Sequence, residues 1–147
     1  MKKEGLTPDQ MTEMMNKKSG FLGLSGKTSD VRELNALVAE GDQRAKLVFK
    51  VFTWDVIKLI GAYIAEMQGV DLIVFTAGIG ENNARLRRRI CENFGYLGLK
   101  FDHDANANAS GDTIISLPDS SVKVAMICTN EELVIARDTM HLVQNME

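Results

Sequence analysis

The sequence has 147 residues, 45% of them hydrophobic and 25% charged, with a formal net charge of −3. That length suits one globular domain with a real core, and the acidic balance argues against a nucleic-acid partner, which needs a basic, counterion-displacing surface. No apolar run reaches the length of a membrane span and Met1-Lys2-Lys3-Glu4 lacks the apolar stretch of a secretory signal, so no membrane association is expected and the expected location is cytoplasmic.

Thr7-Pro8-Asp9-Gln10 predicts a helix start, with Thr7 as N-cap, Pro8 in the first turn and Gln10 completing a capping box. That helix is expected to stop near Ser19-Gly20, and residues 21–27 read as a glycine-punctuated loop before a second helix capped by Thr28 or Ser29. Residues 44–68 form the longest helical pattern. Val48, Val51, Phe52, Val56, Leu59, Ile60, Tyr63 and Met67 make its expected core side, and Leu47, Trp54, Ile57, Gly61 and Ile64 a second apolar face. Lys46, Lys50 and Thr53 are left as a polar strip, so the helix is expected to be covered on two sides, the cover being further chain, a second subunit, or both.

Residues 71–76 read as a buried strand, followed by a glycine turn and a helix from about Asn82 to Phe94. Within that helix Arg85, Arg87, Arg88 and Arg89 read as a solvated basic face. Residues 106–111 read as a surface loop, and residues 113–117 and 122–127 as two strands joined by the turn Pro118-Asp119-Ser120-Ser121. A last helix is expected from Thr129 to about Val143. The class is α/β, with an incomplete sheet flanked by helices, and no linker divides residues 1–147. Cys91 and Cys128 are far apart without a partner motif and read as reduced thiols.

The strongest local signal is Phe75-Thr76-Ala77-Gly78-Ile79-Gly80-Glu81-Asn82, a strand, turn and helix start. Gly78 and Gly80 are expected to take positive φ and let the backbone approach a ligand, while the N–H groups of the following helix favour an anion such as phosphate. A plain tight turn is the competing reading. A dinucleotide fingerprint fails because Asn83 stands where a third glycine is required. Gly26-Lys27-Thr28 resembles the end of a P-loop, but Phe21 replaces its first glycine and a helix precedes it. In Thr129-Asn130-Glu131-Glu132, Thr129 is the expected N-cap with Glu132 as its capping-box partner. Glu131 is left either to complement the helix dipole or to serve a magnesium ion, which keeps several waters and takes few protein oxygens.

Four stretches in order resemble acetate kinases of the acetokinase family, in the superfamily of actin, hexokinase and chaperone ATPases. They are Ser19-Gly20-Phe21-Leu22-Gly23-Leu24-Ser25-Gly26, Ser29-Asp30-Val31-Arg32, the segment from Val74 to Asn82, and the segment from Cys128 to Thr139. Lys58-Leu59-Ile60-Gly61-Ala62-Tyr63 is similar to the family too. The resemblance implies a ribonuclease H-like (actin-like ATPase) half-domain and an ATP:acetate phosphotransferase, with ATP/ADP and Mg2+ as cofactors and acetate as co-substrate. It implies that Asp30, Val31 and Arg32 line the adenosine side and that Gly78, Ile79, Gly80, Glu81 and Asn82 form the loop over ribose and phosphates. Glu131 would be the magnesium-site carboxylate.

Ala77 stands where the wider superfamily commonly has glycine. The family's catalytic aspartate and histidine and its acid-gripping arginines lie upstream of the matching segment, so no catalytic residue is expected here; His103 and His141 read as surface residues. Propionate and butyrate kinases are the nearest rivals. A non-catalytic nucleotide-binding module, or a dimerisation unit built on the two-faced helix, is the reading from another class, and homodimer formation is expected.

Overall fold

Thr7 opens the first helix as expected: its Oγ1 accepts from the Gln10 N–H at 3.2 Å and Gln10 Oε1 accepts from the Thr7 N–H at 3.0 Å. A computed structural model of the chain describes residues 5–145; the tetrapeptide read above for a signal segment lies outside them. The described residues form two compact units, one ending at Ile60 and the other beginning at Gly61.

In the first unit, α1 (Pro8–Lys17) is followed by α2 (Gly20–Ser25) and α3 (Val31–Ala39). The expected loop at 21–27 is thus largely a helical turn. Its end is organised by the buried Ser25, whose Oγ accepts from the N–H groups of Lys27 and Thr28 and donates to the Thr28 carbonyl at 2.9 Å. The cap of α3 is Asp30 rather than Thr28 or Ser29: Asp30 Oδ1 accepts from the Arg32 N–H at 2.7 Å, while Thr28 Oγ1 accepts from the Asp30 N–H. Leu34, Val38, Ala45, Val48 and Phe49 form the core, with Phe21, Val31 and Leu37 packed on it.

The long helix α4 (Gln43–Glu66) contains the boundary between the units. Its N-terminus is secured by Asp42, which accepts from the Ala45 N–H at 2.7 Å and pairs with Lys27 at 2.6 Å. The buried residues of this helix are Ala45, Val48, Phe49, Thr53 and Ile64, which corrects the expected faces. Thr53 is inside because its hydroxyl donates to the Phe49 carbonyl at 2.6 Å and so needs no water. Leu47, Trp54, Leu59, Tyr63 and Met67 are exposed, so the described residues do not themselves supply the helix's second cover.

The second unit is built on three strands, β1 (Leu72–Phe75), β2 (Thr113–Ile114) and β3 (Lys123–Met126), in the order β1-β3-β2. β1 runs parallel to β3 and β2 antiparallel to it. The central strand buries Val124, Ala125 and Met126. β1, expected to be buried throughout, alternates instead: Ile73 and Phe75 are inside, Leu72 and Val74 exposed.

Around the sheet stand α5 (Ala77–Asn82), α6 (Ala84–Cys91), a 3-10 turn (Glu92–Leu97), α7 (His103–Ala107) and α8 (Glu131–Gln144). The helix expected over 82–94 is interrupted at Asn83, whose buried side chain accepts from the Leu86 N–H at 3.0 Å and starts α6 afresh. α6 buries Leu86, Ile90 and Cys91 together with Arg87, so the expected basic surface face loses its second member to the interior. Asn106, placed in a surface loop by its composition, is also buried. Both cysteines are free thiols, and burial pushes Cys91 up to about 12. No described helix is long and apolar enough to cross a membrane.

Candidate functional site

At the end of β1 the chain passes through Thr76 in extended conformation, and Thr76 contributes no side-chain cap to α5. Ala77 then takes φ +58°, the left-handed region that costs an L-residue roughly 1–2 kcal/mol. The expected positive φ therefore falls on Ala77; Gly78 and Gly80 lie inside α5 with ordinary helical sign. The two glycines serve different purposes. A Cβ at Gly80 would stand 3.2 Å from the Phe75 carbonyl carbon, so glycine there lets the helix close against the strand end. A Cβ at Gly78 would meet nothing within 4 Å, which leaves an open surface.

Glu81 is partly buried, and one of its carboxylate oxygens accepts both the Thr129 N–H at 2.9 Å and the Thr129 hydroxyl at 2.8 Å. These bonds hold Glu81 below the usual glutamate range. They also take Thr129 away from the capping role expected of it. Asn130 is the N-cap of α8, its Oδ1 accepting from the Leu133 N–H at 3.0 Å. The helix starts one residue later than expected, so Glu132 sits at the second helical position and the Thr129/Glu132 capping box does not form.

Glu131 opens α8 and is exposed, and neither it nor Glu132 has a hydrogen-bond or ion-pair partner among the described residues. No cluster of three or more His, Cys, Asp or Glu that could hold a metal exists among the described residues. The donor set thus offers one solvated carboxylate, which suits a hard, oxygen-preferring cation that keeps its waters and not a cation caged by protein alone.

The second unit therefore brings the Gly78–Asn82 segment into direct contact with the turn leading to Glu131. Asp30, Val31 and Arg32 belong to the first unit. Arg32 Nη2 lies 2.8 Å from Asp30 Oδ2, and the Arg32 side chain and backbone bonds pull Asp30 down to about 2. Val31 is half-buried against the core, whereas the Arg32 side chain is 91% exposed, leaving its guanidinium faces open.

Sequence reasoning missed Arg87. Its guanidinium Nη1 donates to the carbonyls of Gly80 at 2.8 Å and Glu81 at 2.6 Å; Nε donates to Asn106 Oδ1 at 2.8 Å and Nη2 to the Asn106 carbonyl at 3.1 Å. Asn106 Nδ2 in turn donates to the Ala84 carbonyl. A signal existed: Arg87 lies three and four residues before Ile90 and Cys91, on the apolar face of α6.

Two expectations follow from this geometry. Gly78→Val should fold with nearly unchanged stability, whereas Gly80→Val, forced against the Phe75 backbone, should lose about 1–3 kcal/mol in urea denaturation; equal losses would contradict the separate roles. For Glu81, a depressed folded pKa means that its contribution is present above the unfolded glutamate value and is lost as pH falls through the lower folded value. The Thr129 amide resonance should accordingly titrate below the usual glutamate pKa; a midpoint at or above that value would mean that the bond is not held.

The profile of the Acetokinase family matches residues 1–137. The acetate kinase of Fervidobacterium nodosum is 48% identical over 146 residues, and that of Thermoanaerobacter pseudethanolicus 49% over 148. The alignments take in 98% and 100% of this chain but only 36% and 37% of those proteins, so the chain spans about a third of their length. Among solved structures, Porphyromonas gingivalis acetate kinase superposes with a TM-score of 0.87 at 40% identity, over 97% of this chain and 36% of that one. Entamoeba histolytica acetate kinase gives 0.85 at 29% identity, over 96% and 37%. A propionate kinase from Francisella tularensis gives 0.80 at 38% identity, over 92% and 34%. The α/β architecture is accordingly that of the actin-like ATPase fold of these kinases. With its sequence matched over residues 1–137, the chain belongs to the acetokinase family.

Proposed function

We propose that this chain supplies the nucleotide and magnesium side of an ATP:acetate phosphotransferase, which moves the terminal phosphoryl group of ATP reversibly to the acetate carboxylate. Family membership supports a kinase role. The observation that carries the nucleotide reading is the bond from Glu81 to Thr129, which couples the glycine segment after β1 to the junction that bears Glu131.

In this reading the open surface at Gly78 admits the ribose and phosphates, and Gly78, Ile79, Gly80 and Asn82 line it. Glu81 spans from that surface to Thr129. On the first unit, the open guanidinium of Arg32, oriented by Asp30 and seated by Val31, offers a plane on which a base can stack. Glu131 would hold a magnesium ion through its carboxylate, and that ion would supply charge neutralisation at the phosphates. The chain's own residues bind and orient; the groups that grip the acid are assigned to the remainder of a full-length family member. The likeness to a propionate kinase at 38% identity favours propionate as the second candidate acid. The exposed Trp54, Leu59 and Tyr63 on α4 support the expectation of a homodimer.

Phosphoryl transfer depends on positioning donor and acceptor together, so the 147-residue chain alone should form no detectable acetyl phosphate from ATP and acetate. Magnesium-dependent turnover by the lone chain, free of host kinase, would overturn that assignment. Magnesium should tighten ADP binding measured by calorimetry, and Glu131→Gln should abolish the increment while leaving metal-free affinity alone. Glu132→Gln should do neither; equal behaviour of the two variants would remove Glu131 from the metal site.

A further inference from the structure

We propose that Arg87 is a positioning residue of the nucleotide site: from inside the protein its guanidinium fixes the Gly78–Asn82 segment in the geometry that receives the ligand. The proposal rests on the nucleotide reading of that segment given above.

Arg87 is 2% exposed, although an arginine is among the costliest side chains to bury. No carboxylate pairs with it among the described residues; its four hydrogen bonds go to the Gly80 and Glu81 carbonyls and to both oxygens of Asn106. Packing does not explain the choice, since the same face of α6 carries Ile90 and Cys91 and an aliphatic side chain would be cheaper to bury there. The bonds themselves explain it. α5 has six residues, less than two turns, and ends where Asn83 leaves helical conformation at φ −127°, ψ 77°. Its last carbonyls therefore lack helical partners, and Arg87 takes two of them.

A rigid planar fork suits this work better than a flexible ammonium, because Nη1 reaches both carbonyls while Nε and Nη2 anchor on Asn106 in α7. The segment is thereby tied to α6 and α7 at its end, and through Glu81 to Thr129. Since a ligand must otherwise spend binding energy on ordering the segment, loosening it should lower affinity without removing any group that touches the nucleotide.

The test uses the 147-residue chain with ADP and magnesium, following amide hydrogen exchange and ADP affinity in wild type, Arg87→Gln, Arg87→Lys and the packing control Ile90→Ala. Arg87→Gln should speed exchange at Gly78–Asn82 and weaken ADP binding, each about tenfold, the scale of one lost charge-assisted bond. Arg87→Lys, keeping the charge and part of the bonding, should fall between, and it carries the comparison if Arg87→Gln does not fold. Ile90→Ala should lower global stability with ADP affinity unchanged. Unaltered exchange at Gly78–Asn82 in the arginine variants would overturn the proposal, as would faster exchange with wild-type affinity. Equal loss of affinity in Ile90→Ala would reduce Arg87 to a structural role and overturn it too. If wild type itself fails to bind ADP while exchange still rises in Arg87→Gln, the nucleotide reading falls and takes the functional claim with it, but the clamp on α5 stands.

Discussion

A helix of six residues cannot hold its own shape in water, because the first turn fixes several residues for one hydrogen bond. α5 is such a helix, and the candidate site depends on how it is held from outside. At its start the left-handed Ala77 turns the backbone off β1, and Gly80 lets the helix close on the strand end. At its other end the Arg87 guanidinium donates to the carbonyls of Gly80 and Glu81. Between them the Glu81 carboxylate reaches Thr129. The Arg87 and Glu81 restraints are each a polar group meeting a polar backbone atom at a place where secondary structure leaves it without a partner.

The strain at Ala77 belongs to the same arrangement. Glycine would remove roughly 1–2 kcal/mol of left-handed cost in the folded state but would raise the entropy of the unfolded chain by about 0.4–1 kcal/mol, so the two effects partly cancel. Alanine is thus tolerable where glycine is the usual choice, and its methyl group also narrows the conformations open to the turn. A family member can carry Ala77 without rebuilding the loop.

The apolar residues divide unevenly. The first unit gathers Leu34, Val38, Ala45, Val48 and Phe49 into a core, and the sheet of the second unit buries Ile73, Phe75, Val124 and Met126. α8 buries none of its residues, with Val134, Ile135, Leu142 and Val143 each more than half exposed. β1 likewise presents Leu72 and Val74 outward. Apolar area of this kind is left in water at a cost of about 25 cal/mol per Å2, which favours association over isolation.

Much of the architecture was legible in the chain itself. The capping box at Thr7, the long helix and the presence of three strands follow from signals within a few residues, because caps, alternation and turn chemistry act locally. The strand expected over 113–117 is only Thr113–Ile114, however, and the helix expected over 82–94 is α6, Ala84–Cys91, followed by a 3-10 turn. The order of motifs from Ser19 to Thr139 was enough to reveal the family. What failed were assignments that needed a partner distant in sequence. Thr129 looks like an N-cap until Glu81, 48 residues earlier, claims its hydroxyl and amide. Arg87 looks solvated until Asn106 and the α5 carbonyls surround it. Local propensity is written in neighbouring residues, so the sequence by itself determined the elements and the family. Which polar groups are inside depends on acceptors that only folding brings within 3 Å, and that the tertiary structure alone decided.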